Sequence, residues 1–244
     1  MQIRLWWVVV CLAVFIFLGV GRKAQAEATM NCPAGTYDML DWMTLDSDLR
    51  ATFHVQGTAN PLYTDMSGGK FYWTKGANGS PWDIQLFDSK YIYLWVTEFE
   101  WGNPHSYKKF AHNYNMPLVP RCAKAGFPGS TINVPDTSYQ MHTDCTHYTT
   151  HNLLKAVNQV WGPYTITLGG ALPKNLEVLV ASYRYNCTAG YNNCLDKEEY
   201  YVARRYGLVE WAHYSLTSGV YRLKQRTIFN RLVKGTAKPV FPCF

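Results

Sequence analysis

The chain has 244 residues, 16% of them aromatic, and carries 23 Lys and Arg against 17 Asp and Glu, a formal charge of +6. So small an excess argues against a nucleic-acid partner. No P-loop, dinucleotide glycine fingerprint, G-x-S-x-G elbow or H-E-x-x-H occurs, so four common enzyme classes lose their simplest support and no cofactor is expected.

Taken from the N-terminus, Arg4 precedes an apolar run from Leu5 to Gly21, and Arg22 and Lys23 lead into Ala24-Gln25-Ala26, a small-x-small cleavage pattern. Residues 1–26 are therefore read as a signal peptide. The basic pair after the run keeps an uncleaved anchor as the alternative, and a membrane is expected as a partner only in that case. The rest, 27–244, is expected to be one secreted or otherwise extracytoplasmic domain, since no low-complexity linker or fixed repeat divides it. Its charge is uneven: 27–100 holds 10 acidic and 4 basic residues, and 201–244 holds 1 acidic and 8 basic.

Cys11 lies in the leader, leaving Cys32, Cys122, Cys145, Cys187, Cys194 and Cys243. An even set in an exported chain reads as disulfides. Cys187 and Cys194 bracket the turn-rich TAGYNN and are the expected pair; Cys32 with Cys243 and Cys122 with Cys145 would follow. No C-x2-C pair supports a zinc site, and no metal is expected.

The predicted elements suggest a mainly β chain, an antiparallel β-sandwich of jelly-roll type with one short helix and long disulfide-held loops. Strand-like runs cover Phe71–Trp73, Trp82–Phe87, Tyr91–Trp101, Tyr164–Leu168, Leu176–Tyr185, Glu199–Ser215 and Val220–Phe229. Turn signals stand at Asp65–Gly69, Asp88-Ser89 and Thr217-Ser218-Gly219. Asn103 to Asp144, rich in Pro, Asn, Gly and His, reads as surface loops. In TTHNLLKAVNQVWGP, the recurrence of Leu153, Leu154, Val157, Val160 and Trp161 predicts a helix, capped by Thr149 or Thr150 and stopped by Gly162-Pro163.

Several clusters offer chemistry. His142, Asp144, His147 and His151 are close in sequence, and the two later histidines would share a helix face if the helix began a turn early. Glu98, Glu100 and Glu210 are the carboxylates weighed for glycoside hydrolysis. Elimination on an acidic sugar needs a cation and a base, and Tyr183-Arg184-Tyr185 with Trp211-Ala212-His213-Tyr214 supply such types; Arg184, His213 and Tyr185 are the candidate catalytic residues. Arg222, Lys224, Arg226 and Arg231 offer a basic surface for an acidic polymer.

YIYLWVTEFEW carries the functional expectation. Read in steps of two, it separates Ile92, Leu94 and Val96 from Tyr91, Tyr93, Trp95, Thr97, Phe99 and Trp101. With the aliphatic row in the core, the rings would form a sugar-stacking face, and Tyr91, Tyr93, Trp95 and Trp101 with Arg222 are the candidate substrate-binding residues. The expected function is polysaccharide or glycan binding. The alternatives are a polysaccharide-degrading enzyme, a lyase before a hydrolase, and a structural envelope or wall protein. Intact-mass analysis of exported protein checks the first step: the mature chain is expected to start at Glu27 and to take up no alkylating reagent without reductant, whereas a retained leader or alkylated cysteines would contradict this.

Overall fold

The structure is a computed structural model and describes residues 30–46, 53–57, 61–62, 69–75, 80–100, 106–110, 116–126, 129–143, 146–153 and 155–234. The leader, the 65–68 part of the first turn signal, Trp101, Asp144, Cys145 and Cys243 lie outside them. In chain order the elements are β1 (Tyr37–Asp38), α1 (Met39–Met43), β2 (Phe53–Gly57), β3 (Pro61–Leu62), β4 (Lys70–Lys75), β5 (Ser80–Phe87), β6 (Tyr91–Glu100), β7 (Ser106–Phe110), β8 (Pro117–Pro120) and β9 (Cys122–Ala123). There follow β10 (Thr131–Val134), β11 (Thr137–His142), β12 (Tyr148–Leu153), β13 (Ala156–Ile166), β14 (Leu176–Cys187), β15 (Cys194–Ala203), β16 (Gly207–Thr217) and β17 (Val220–Lys234).

The protein is mainly β and its sheets are antiparallel, as expected. An eight-stranded sheet runs β10-β13-β14-β15-β16-β17-β2-β3, and a seven-stranded sheet runs β12-β11-β7-β6-β5-β4 with β8 added on β6. Strands adjacent in sequence are adjacent in space along most of both sheets, which is a meander order, and neither sheet closes on itself among the described strands. Phe71, Trp73, Trp82, Ile92, Leu94 and Phe110 of the smaller sheet share one buried cluster with Val160, Leu179, Tyr183, Tyr200, Val202, Leu208 and Phe229 of the larger.

Turn chemistry accounts for two hairpins. Between β16 and β17, Ser218 and Gly219 have φ of 52° and 76°, and Thr217 pairs with Val220; this is the two-residue turn whose twist matches its strands. Between β5 and β6, the Asp88 carboxylate accepts from the backbone N–H of Lys90 and Tyr91 at 2.7 and 2.9 Å. A third turn was not expected, because 199–215 read as one run. It divides β15 from β16, with Tyr206 N–H donating to Ala203 O at 3.0 Å and Arg205 and Gly207 at positive φ. A Cβ on Gly207 would stand 3.3 Å from Met43 O, so glycine also lets α1 dock there.

The predicted helix is not one. Residues 148–153 are β12 and 156–166 are β13, and Gly162-Pro163 lies inside β13, where the pairing with β14 shifts between Trp161 and Tyr164. The β-branched Thr149, Thr150, Val157 and Val160 suit a pleated surface, and the ladder to β14 outweighs a helical repeat that cannot form alone at three turns. The described helix is α1 instead, capped by Asp38, whose carboxylate accepts from Leu40 N–H at 3.1 Å. The segment expected as loops also contains strands, β7 to β11; two of its prolines, Pro117 and Pro120, sit at the ends of β8, where a missing N–H is tolerated.

Two disulfides are described. Cys187–Cys194 joins β14 to β15 as expected. Cys32 pairs with Cys122, which overturns both Cys32–Cys243 and Cys122–Cys145. β1 pairs with β9 and so carries Cys32 to Cys122, a partner that cysteine spacing along the chain does not single out. Beside this link, Arg121 grips Asp38 through Nε and Nη2, with both side chains nearly buried (7% and 6% exposed). Met39 N–H donates to Arg121 O at 2.8 Å. Arg121→Ala would leave a buried carboxylate without its counter-charge and is expected to cost about 3–5 kcal/mol. Tyr93→Phe, which removes an exposed bond to Asp88, should stay within about 0.5 kcal/mol. Urea unfolding midpoints of the two variants check the contrast.

Candidate functional site

A cavity of about 400 Å³ is lined by residues of both sheets. Strand pairing explains its lining, because residues directly opposite in an antiparallel pair share a face. One row across the larger sheet is Tyr183 (β14), Glu198 (β15), His213 (β16) and Gln225 (β17); the next is Tyr200, Trp211 and Thr227; Tyr185 and Asp196 begin a third. From the smaller sheet come Trp82, Leu94, Thr97, Lys108 and Phe110.

β6 enters this site through a bulge. Leu94 opposes Gln85 while Val96 opposes Ile84, so Trp95 is the extra residue and the alternation inverts beyond it. Thr97, expected in the aromatic row, therefore lies opposite Asp83 and Lys108 and lines the cavity with Leu94. Ile92 and Leu94 are buried in the shared cluster as expected, while Val96, beyond the bulge, is buried but stands outside that cluster.

Glu198 organises the cavity. Its Oε2 accepts from Tyr200 OH and, at 3.0 Å, from Trp211 Nε1–H, and its Oε1 accepts from Tyr185 OH at 3.3 Å. Asp196, two residues earlier on the same face, accepts from Ser215 Oγ–H at 3.1 Å and Asn186 Nδ2–H at 3.3 Å. His213 Nε2 lies 3.5 Å from Asp196 Oδ1, within ion-pair range but without hydrogen-bond alignment. The rings stack and cross: Tyr183 and Tyr185 lie parallel at 4.6 Å, and Trp82 meets Trp211 edge-on at 5.3 Å.

This environment fixes protonation states. Burial, and after it the negative charge of Glu198, hold the phenols of Tyr183, Tyr185 and Tyr200 well above the ordinary tyrosine range, so they are donors at neutral pH. Burial pulls the Lys108 ammonium below the usual lysine range, against the opposing pull of Glu198 and Asp196. Its Nζ stands 5.3 Å from the centre of the Tyr139 ring.

The three candidate catalytic residues do not converge. Tyr185 and His213 line the cavity, while Arg184 is on the opposite face, where it donates to Gln159 Oε1 at 2.9 Å. Tyr91, Tyr93 and Trp95 are half-buried on β6, away from the cavity lining. Tyr93 OH donates to Asp88 at 2.9 Å, and Lys70 Nζ stands 4.5 Å from the Trp95 ring centre with Lys109 at 5.8 Å. Arg222 and Lys224 are exposed on β17, but Arg226 is held by Glu210 in a two-bond fork of 2.7 and 2.8 Å. His142 and His151 lie on β11 and β12, against Tyr148 and Tyr139, and do not share a helix face with His147. Among the described residues no group of three or more His, Cys, Asp or Glu is placed to hold a metal.

Sequence reading missed Glu198, Asp196 and Lys108. The acidic pair precedes residue 199, where the strand was expected to begin, and Lys108 lies in the segment read as loop. The usable signal was Asp196, Glu198 and Tyr200 at alternate positions, which puts two acids and a phenol on one strand face.

The raised phenols make the fold sensitive to alkali. A group whose pKa is higher folded than unfolded contributes stability that is fully present below its unfolded value, about 10 for tyrosine, and lost as pH rises further. Tyr183, Tyr185 and Tyr200 should therefore ionise in one cooperative step together with loss of the circular-dichroism signal in an alkaline titration. A gradual rise of phenolate absorbance with the fold intact would contradict this.

No protein-family description matches this sequence, and neither a curated protein nor a solved structure resembles it significantly.

Proposed function

We propose that this chain is an extracytoplasmic, disulfide-bonded carbohydrate-binding protein of sandwich-like layering, whose inter-sheet cavity takes a neutral sugar. The observation that carries this reading is the mixture in the lining: the rings of Trp82, Tyr185 and Trp211 beside acceptors Glu198 and Asp196 and donors Asn186 and Gln225. A sugar offers apolar C–H faces to rings and hydroxyls that both donate and accept, and a concave site with a few placed polar groups is the usual form of a small-ligand site. Two acids in the wall disfavour the uronate considered from sequence. The outer row of β6 is the weaker surface, since the Trp95 ring already lies near two lysines. The exported location rests on the leader pattern and the two disulfides. Among the described residues no helix is long and apolar enough to cross a membrane.

Hydrolysis is the second reading. Asp196 and Glu198 both line the cavity from positions two apart in one strand, and a pair of carboxyl groups beside the scissile bond is what glycoside hydrolysis uses. Against it, Glu198 already accepts from three donors. Elimination is weaker still, because Tyr185 is held protonated and Arg184 points elsewhere.

Calorimetric titration with a panel of methyl glycosides tests the binding reading. At least one should bind. Trp211→Ala should then lose about 0.5–1.5 kcal/mol of affinity, the worth of one stacked ring, while Arg222→Gln, outside the cavity, should bind as the parent does. Loss in Arg222→Gln with none in Trp211→Ala, or no binding across the panel, would overturn it; release of reducing ends from an oligosaccharide would favour hydrolysis.

A further inference from the structure

We propose that the same cavity captures carbonyl compounds, with Lys108 condensing with an aldehyde or ketone to form an imine. The inference goes beyond sugar binding and needs only the cavity and its lysine.

Lys108 is placed on β7 by its pairing with Thr97 on one side and Met141 on the other, and it faces the larger sheet as part of the cavity lining. A cavity of about 400 Å³ leaves room for a small ring-bearing carbonyl compound beside it. The walls of Trp82, Phe110, Tyr183 and Phe229 offer that compound an apolar bed. By contrast, Lys90, Lys124, Lys174 and Lys224 are exposed to water. Lys197, on the outer face, is paired with Glu199 at 2.8 Å and lies near the Tyr214 and Tyr221 rings at 4.1 and 5.1 Å.

The chemistry balances without an oxidant or reductant. The Nζ lone pair attacks the carbonyl carbon, a C–N bond forms, and the π pair moves to oxygen. Two protons from the original ammonium end on that oxygen, which leaves as water, so ammonium plus aldehyde gives protonated imine plus water. The positive charge is the same before and after. Glu198 and Asp196, which already stabilise the ammonium, therefore serve the iminium as counter-charges. Burial also raises the share of neutral amine, the nucleophilic form.

Reductive trapping on the full chain tests the proposal. Native protein is incubated with benzaldehyde and cyanoborohydride, and benzylated peptides are quantified over time by mass spectrometry. Lys108 should be labelled faster than Lys90, Lys124, Lys174 or Lys224, because burial holds more of its amine in the neutral form. Lys108→Arg keeps the charge and removes the nucleophile, and should leave labelling of those four unchanged. Labelling of Lys108 no faster than that of the exposed lysines would overturn the proposal. The sugar reading is judged separately, because methyl glycosides carry no free carbonyl: glycoside binding with unselective trapping refutes only the imine, and selective trapping with no glycoside binding refutes only the sugar.

Discussion

A carboxylate set among buried rings must be satisfied, and the three donors that satisfy Glu198 set the shape of the site. Tyr185, Tyr200 and Trp211 belong to three adjacent strands, β14, β15 and β16, and all turn their polar atoms toward the same two oxygens. Hydrogen bonds to an ionised acceptor are worth roughly 1.5–3 kcal/mol each, enough to outweigh the rotamer freedom the rings lose. The rings are thereby held as walls, and an open cavity persists where apolar side chains alone would be expected to close in.

The same strand carries a second polar network on its other side. Lys197, Glu199 and Tyr201 alternate with Asp196, Glu198 and Tyr200; Glu199 takes Lys197 Nζ at 2.8 Å and Tyr201 OH at 3.0 Å. A slip of one residue would exchange these two sets and put Lys197 where Glu198 now gathers its donors. The slip would leave donors and acceptors on both faces of β15 unmatched, so the two networks add to the register that burial of one face specifies. The Cys187–Cys194 link, between directly paired residues at the end of the same hairpin, holds that register covalently.

At another place the constraint is charge. Asp38 caps α1 and receives the Arg121 guanidinium, so one carboxylate both starts the helix and ties it to the turn before β9. Met39, Leu40, Trp42 and Met43, all buried, then join the cluster shared by the two sheets. The Cys32–Cys122 disulfide fastens the segment ahead of them.

Much of this was legible along the chain. The strand class, the Ser218-Gly219 turn, the Cys187–Cys194 pair and the burial of Ile92 and Leu94 follow from local chemistry: side-chain alternation, residues that accept positive φ, and a short loop between cysteines. What failed depended on distant partners. The stretch 149–161 has a helical repeat, yet β14 supplies a ladder that no local pattern announces. Lys108 looked like a loop residue because its neighbours β6 and β11 are what make it a strand residue. Thr97 looked like a member of the aromatic row because a bulge at Trp95 is invisible without the opposing strand. By itself the sequence determined that the chain would be antiparallel β, bridged by disulfides and rich in rings on strand faces, since these depend on neighbours a few bonds away. Only the tertiary structure decided which rings line a cavity, that Glu198 gathers three of them, and that Lys108 faces it from the other sheet, because register and sheet pairing bring together residues that the chain keeps far apart.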